Sequence, residues 1–266
     1  MSAAGFWIIG CGNMAGAMLS RWIETGIDAG DVRVVDPAMP ALPGGIVCLP
    51  AIPDDAAPAA RVLLGVKPQM LGDVADEVAR LIGPETQLLS ILAGIEIETL
   101  RRFFPGAAAV TRVMPNLPVA LGKGVVTLYA SAGPDPRVTD LMAPLGQVEW
   151  LADESLMHLA TALAGSGPAF VYRFIDALAS AGAHQGLDPA QAGRLALAMV
   201  EGAVALAAQS AESPATLAAR VTSKGGTTFA GLGVLDESDA LAGLVGRAIA
   251  AARDRSISLG EEAKPA

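Results

Sequence analysis

Histidine, tyrosine, lysine and cysteine are all scarce in this chain: two, two, four and two among 266 residues. With only Cys11 and Cys48, there is no disulfide framework or zinc set to build, so a reduced, cytoplasmic protein without a metal site is expected. Cations are also outnumbered. Eighteen Lys and Arg against 27 Asp and Glu give a net charge of −9 and a pI near 4.7. No basic face is available, which excludes nucleic acid as a partner. Aromatics make up 4% of a chain that is 52% apolar, so Ala, Val, Leu and Ile must form the core. Long charge-free runs are missing too. The stretch from Ser155 to Tyr172 lacks Asp, Glu, Lys and Arg, but it contains His158 and the breaker Gly165-Ser166-Gly167-Pro168. A spanning helix needs about 20 mostly apolar residues. Despite a mean hydropathy of +0.47, no membrane segment is expected. No basic segment precedes the first apolar run and the first arginine is Arg21, so no secretory signal is expected either.

What is present is a pattern of short apolar runs alternating with helical spacing. Phe6-Trp7-Ile8-Ile9 reads as a strand buried on both faces. It leads into Gly10-Cys11-Gly12-Asn13-Met14-Ala15 and then a helix carrying Met18, Trp22 and Ile23. In this G-x-G-x-x-A arrangement Gly10 permits a tight turn, Gly12 admits a pyrophosphate to the backbone, and Ala15 allows close helix–strand packing. The next strand, Val32 to Val35, ends at Asp36, where an acid can bond a ribose hydroxyl. Further strands are predicted at 61–66, 87–91, 108–113, 125–129 and 148–151, with helices at 69–81 and 96–103. This alternation predicts a parallel, Rossmann-like doubly wound α/β sheet. Ligands on such sheets bind beyond the carboxyl ends of the strands. Loops there carry Val66-Lys67-Pro68, Ala93-Gly94 and Met114-Pro115-Asn116, in which Lys67 and Asn116 could hydrogen-bond a cofactor or substrate.

From about Glu154 the strands stop. Leu156, Leu159, Ala160 and Leu163 have helical spacing, and Pro168 suits the first turn of a helix reaching His184. Asp188-Pro189 and Ser213-Pro214 are N-cap and N1 pairs for helices to about Gln209 and Val221, and Ser238 is expected to cap a last helix to about Leu259. A disordered tail is expected from about Glu261. The chain therefore divides into a dinucleotide-binding domain, 1–153, and an all-helical domain, 154–266. Helices such as 189–209 would leave apolar stripes exposed without a partner, which predicts a homodimer.

Between two of these helices stands Val221-Thr222-Ser223-Lys224-Gly225-Gly226-Thr227-Thr228. Adjacent glycines expose main-chain N–H groups and the hydroxyls add rotatable donors, a combination suited to an anion. Acid–base side chains are few elsewhere. His184 falls at a helix end, His158 among apolar positions, and Tyr129 and Tyr172 read as packing residues. Oxidising an alcohol usually requires a positioned base. Reducing C=N is less demanding, since a hydroxyl near the nitrogen can supply the proton. Thr227 and Thr228 offer that hydroxyl while Ser223, Gly225 and Gly226 hold a carboxylate, fixing both ends of a cyclic imino acid.

These stretches together resemble the pyrroline-5-carboxylate reductase family over nearly the whole length. The likeness lies in Ile9 to Ala15, Gly65 to Gln69, Ala93-Gly94-Ile95, Arg112 to Asn116, Gly165 to Ala169 and, most specifically, Val221 to Thr228 with Gly231, Leu235 and Asp236. The resemblance implies NAD(P)H-dependent reduction of 1-pyrroline-5-carboxylate to L-proline. It implies Ser223 and the backbone of Gly225 to Thr227 on the carboxylate, Thr228 beside the ring nitrogen, and the loops at Val66 to Pro68 and Ala93-Gly94 against the cofactor. It also implies dimers through interleaved helical domains, with some relatives assembling rings of dimers. Lys224 stands where the family often has proline, Leu117 where it has threonine, and Ala164 where serine is common. Asp36-Pro37-Ala38-Met39-Pro40 offers no arginine or hydroxyl cluster to a 2′-phosphate, yet many relatives use NADPH, which leaves NADH and NADPH both open. Three other functions compete. A reductase of pyrroline-2- or piperideine-2-carboxylate could use the same loop. A 3-hydroxyacid dehydrogenase would need a lysine on the helix after Gly165-Ser166-Gly167, where only Arg173 stands. A non-catalytic nucleotide binder would have no need of the Ser223–Thr228 loop.

Overall fold

The computed structural model describes residues 5–262. It divides into two compact units, one of residues 1–166 with 251–266 and the other of residues 167–250. In the first, eight strands form one sheet in the order β3-β2-β1-β4-β5-β6-β7-β8. The strands are β1 Phe6–Ile9, β2 Val32–Val35, β3 Val47–Leu49, β4 Arg61–Leu64, β5 Gln87–Ser90, β6 Ala109–Met114, β7 Gly124–Tyr129 and β8 Gly146–Trp150. All neighbours pair in parallel except β6 with β7, where Arg112 faces Tyr129 in an antiparallel register. The expected all-parallel sheet is corrected at that one junction.

Alternation along each strand supplies a core on both faces. Phe6, Ile8, Leu63 and Leu89 pack on one side under α1, Asn13–Glu24, while Trp7, Ile9, Leu64 and Leu88 pack on the other under α2, Leu71–Ala79, and α3, Ile97–Phe103. Helix α1 brings down Met18, Leu19 and Trp22, all with no exposed surface. Burying a large apolar side chain is worth roughly 1.5–3 kcal/mol, so these three outweigh the tenths of a kcal/mol of intrinsic helix preference. Trp22 also meets the edge of Phe6, with ring centroids 5.4 Å apart, and donates its indole N–H to the Leu141 carbonyl at 2.7 Å.

Two elements were not expected from the sequence: the three-residue edge strand β3, and α4, Pro136–Met142, whose N-cap Asp135 accepts from the Arg137 N–H. Beyond α5, Leu156–Ala160, the chain winds as one π-helical turn through Thr161–Gly165, closed by the Ser166 N–H on the Thr161 carbonyl.

The second unit contains α6, Gly167–His184, α7, Pro189–Gln209, α8, Pro214–Arg220, and α9, Thr227–Asp236, together with the first half of α10, Ala240–Glu262. Asp188 and Ser213 cap α7 and α8 as expected, accepting from the Gln191 and Thr216 N–H groups. Ser238 does not cap α10; it takes a left-handed backbone with φ 51° two residues before that helix starts. Helices α6 and α7 form a hairpin in which Gly182 leaves room for Leu187 and Ala192. Within this unit only Ala192 and Ala196 are buried. Tyr172, expected to pack, is 59% exposed. By length and composition α7 is apolar enough to cross a membrane, the one such helix among the described residues. Of the tail expected to be disordered, Glu261 and Glu262 belong to α10 and the remainder lies outside the described residues.

Candidate active site

Strand order reverses between β1 and β4, which in a doubly wound sheet opens a crevice at the carboxyl ends. A cleft of about 250 Å³ lies there, lined by Gly10 and Gly12 after β1, Asp36 after β2, and Val66 and Lys67 after β4. Gly10 has φ 82°, and a Cβ on it would stand 2.8 Å from both the Val66 side chain and the Val66 backbone nitrogen. Gly65 is equally constrained, since a Cβ there would meet the Gly10 carbonyl at 2.5 Å and the Ala15 Cβ at 3.0 Å. Around Gly12, by contrast, there is open space. Helix α1 starts after Gly12 with no side-chain cap and no acid in its first turn, and Asn13 is exposed there. Its leading N–H groups are thus available to an anion. Met14 turns partly into the core and Ala15 is buried. Asp36 accepts from the Cys11 N–H at 2.8 Å and the Ala38 N–H at 2.9 Å, which holds its carboxylate beside the glycine turn. Burial, then the Asp36 charge, push the Cys11 thiol up to about 11. A glycine turn, an open helix N-terminus and a fixed acid at the next strand together fit a nicotinamide dinucleotide.

A larger cavity, about 910 Å³, opens at the opposite, amino ends of the strands, beside Phe6, Val32, Arg61 and Gln87. Of its polar lining, Arg61 donates to Gln87, and Gln87 and Arg137 both donate to the neighbouring Asp135. The Arg137 guanidinium holds the Asp135 carboxyl below its ordinary range. Size alone does not make this the site, because ligands on such sheets occupy the carboxyl ends.

Three predicted loop groups behave differently from the Gly10–Ala15 turn. Lys67 is exposed and opens the 3-10 turn Pro68–Met70. Ala93 and Gly94 do not line the cleft. Gly94 has φ 79° and packs on α10, where a Cβ would stand 2.7 Å from Gly260 Cα. Met114, Pro115 and Asn116 are buried. Asn116, a candidate ligand donor, also bonds within the protein through one N–H and its oxygen. Its Nδ2 donates to the Ala164 carbonyl and its Oδ1 accepts from the Val125 N–H, each at 2.9 Å. The cause is local: four residues beyond Ala164 comes Pro168, which has no N–H to return to that carbonyl. A second pair invisible in the sequence lies close by. Buried Arg112 donates to Glu154 Oε1 at 2.9 Å, and the same oxygen accepts from the Ile97 N–H. His158 places Nδ1 3.0 Å from the Ser256 hydroxyl, which agrees with a packing role.

In the helical unit, Ser223-Lys224-Gly225-Gly226 forms a β-turn closed by the Gly226 N–H on the Ser223 carbonyl at 2.9 Å. Gly225, third in the turn, has φ 73°, a conformation that favours glycine. A Cβ on Gly226 would lie 2.5 Å from Ser223 Oγ, so a side chain there would turn that hydroxyl away from its place. The turn leads directly into α9, which lacks a side-chain cap and makes its first backbone bond from Ala230 to Gly226. The N–H groups of Thr227 and Thr228 therefore precede the helical ladder, and both side chains are exposed. Thr222 is excluded from this set, since its hydroxyl donates to the Ala218 carbonyl at 2.6 Å. Lys224 is exposed.

Residues 154–259 match the family model for pyrroline-5-carboxylate reductase dimerisation, and residues 6–94 match that for NADP oxidoreductase, coenzyme F420-dependent. The pyrroline-5-carboxylate reductase of Pseudomonas aeruginosa is 34% identical, over 98% of this chain and 99% of its own. Among solved structures, a Coxiella burnetii pyrroline-5-carboxylate reductase superposes with a TM-score of 0.85 at 29% identity, over 97% of this chain and 99% of that one. A Plasmodium falciparum pyrroline carboxylate reductase with NADP bound superposes with a TM-score of 0.83 at 25% identity, over 98% and 99%.

Proposed function

The chain belongs to the pyrroline-5-carboxylate reductase family, and we propose that it reduces the C=N bond of 1-pyrroline-5-carboxylate to give L-proline. The observation that carries this reading is the turn into α9: a left-handed Gly225, a Ser223 hydroxyl seated against Gly226, and an uncapped helix start bearing Thr227 and Thr228. Ser223 Oγ and the N–H groups of Gly225 and Thr227 bind the substrate carboxylate, beside the Gly226 N–H that closes the turn on the Ser223 carbonyl, because that end of α9 offers several donors and a positive dipole. Thr228 presents its hydroxyl to the ring nitrogen and moves or orients the proton that the nitrogen gains. When bound, NAD(P)H supplies the hydride that adds to the imine carbon. Gly10, Gly12 and the start of α1 hold the pyrophosphate, Asp36 the ribose, and the Val66–Pro68 loop the wall beside them. Anchoring the carboxylate and the nitrogen from one loop is worth much of the barrier through orientation.

Asn116 acts in this account by positioning the loop after β6, and Met114 and Pro115 form its packed base. We take residues 1–153 as the dinucleotide-binding domain and 154–266 as the helical substrate-binding and dimerisation domain. The exposed Leu195, Met199 and Leu206, spaced i, i+4 and i+11 on α7, support a homodimer as the working unit, and rings of dimers are a further assembly it could form. The unpaired Cys11 and Cys48 suit a reducing cytoplasm.

The test is turnover of purified protein with NADH or NADPH, followed at the nicotinamide absorbance. Substrates are pyrroline-5-carboxylate, pyrroline-2-carboxylate and piperideine-2-carboxylate, with 3-hydroxy acids assayed in the oxidative direction. Fastest turnover of pyrroline-5-carboxylate is expected. Preference for another cyclic imine would reassign the substrate, and no turnover of any would overturn the reading.

A further inference from the structure

The dinucleotide cradle has an asymmetry of charge. Asp36 borders both the 250 Å³ cleft and an adjoining one of about 500 Å³ beneath the start of α1. Its carboxylate is held there by two backbone N–H groups, from Cys11 and Ala38. The second cleft is walled by the connection from β2 to β3, Asp36-Pro37-Ala38-Met39-Pro40-Ala41-Leu42-Pro43-Gly44-Gly45-Ile46. This connection forms no α-helix, only a 3-10 turn at Pro43–Gly45. It has no Lys, Arg, Ser or Thr, and Pro37, Pro40 and Pro43 remove three N–H donors from it. Among the residues lining both clefts the one cation is Lys67, across the switch point after β4. The arginines on the adjacent elements are engaged elsewhere. Arg21 bonds the Pro144 carbonyl and Glu24, and Arg33 bonds the Gly30 and Val32 carbonyls. Asn13 and Ser20 are the polar uncharged side chains of the second cleft.

We propose that this chain discriminates against the 2′-phosphate and uses NADH in preference to NADPH, with Asp36 as the determining residue. A ribose 2′-hydroxyl can donate to the fixed carboxylate. A 2′-phosphate placed there would bring like charge against it, with no guanidinium or hydroxyl cluster to offset the repulsion. This inference rests on reading the Gly10–Ala15 turn as the dinucleotide cradle, and it goes further by choosing between two nucleotides that both fit that cradle.

The experiment is equilibrium titration of the full-length protein with NADH and with NADPH, read by nucleotide fluorescence without substrate. NADPH is expected to bind at least about tenfold more weakly, with the gap narrowing as salt is raised. Equal affinity, or tighter NADPH, would overturn the preference while leaving the cradle intact. Failure of both to bind would overturn the cradle as well. Asp36→Ser removes the charge and should bring the two dissociation constants within about threefold. Because Asp36 also ties the loop together, Ala38→Arg is the companion variant. It keeps Asp36, adds a cation at an exposed position, and should tighten NADPH by about fivefold or more while leaving NADH nearly unchanged. If neither variant narrows the gap, Asp36 is not the determinant.

Discussion

In the sheet-bearing unit Ile8, Leu63, Leu89 and Trp22 have no exposed surface within one chain, whereas between Gly167 and Ala250 only Ala192 and Ala196 are buried. The helical unit instead exposes Leu195, Met199, Val204, Leu206, Val234 and Leu244, each by about half or more. A core closed within one chain gives a rigid frame for a nucleotide. Long helices without their own core gain stability from association, because burying an amphipathic face, more than intrinsic propensity, holds helices together. The contrast extends to the loops. The Gly10–Ala15 turn is fixed by contacts to Val66, Asp36 and Gly65, while the Ser223–Thr228 turn is held by one backbone bond and the start of α9.

The change expected to have the largest effect attacks the side that lacks a core. Met199→Glu places a charge in the centre of the exposed α7 stripe. Light scattering should show the mass falling to that of one chain, with part of the helical circular dichroism lost. An unchanged dimeric mass would move the interface off this face. In the sheet-bearing unit the effects should appear in melting rather than mass. Glu154→Ala leaves Arg112, which is 3% exposed, as an unpaired buried charge, and should cost about 3–5 kcal/mol by denaturant unfolding. A smaller loss, about 2 kcal/mol, is expected for Asn116→Ala, which strands the Ala164 carbonyl and the Val125 N–H. Asn116→Asp should recover little of it, because a carboxylate cannot donate to that carbonyl. If Asn116→Ala abolishes activity without lowering the melting temperature, its amide serves the substrate after all.

The smallest effect concerns Cys11. Its thiol is raised from 9.0 to about 11 by burial and by Asp36, so the folded state favours the neutral form. That contribution is complete below pH 9 and disappears as pH rises toward 11. Alkylation of Cys11 near pH 8 should be at least about tenfold slower than in the unfolded chain. Equal rates would show the turn opening to solvent.

Much of this architecture could be read from local pattern. Strand β1 is a continuous apolar run and β2, β4 and β5 are mostly or half apolar because both faces of the sheet are covered, and Asp188-Pro189 and Ser213-Pro214 cap helices where their chemistry indicates. Asp135-Pro136 carries the same signal for α4. Strand β3 is apolar, Val47-Cys48-Leu49, but three residues are too few for periodicity to separate a strand from a loop. The antiparallel β6–β7 pairing, the Gly94–Gly260 contact and the Arg112–Glu154 pair join residues distant in sequence, and periodicity contains no record of such partners. Asn116 is the instructive case. Its residue type suggests a ligand donor, while the bond from its Nδ2 to the Ala164 carbonyl could not be read from pattern.

The central claim is that the turn into α9 acts on an imine. The most direct test is the kcat/KM of Thr228→Ala for pyrroline-5-carboxylate, with the dissociation constant for NADH measured on the same preparation. Thr228 is exposed and its side chain supports no described hydrogen bond, so the fold should tolerate the change. A fall of about 100-fold or more with NADH affinity unchanged is the predicted result. Parent-like kcat/KM would contradict the account.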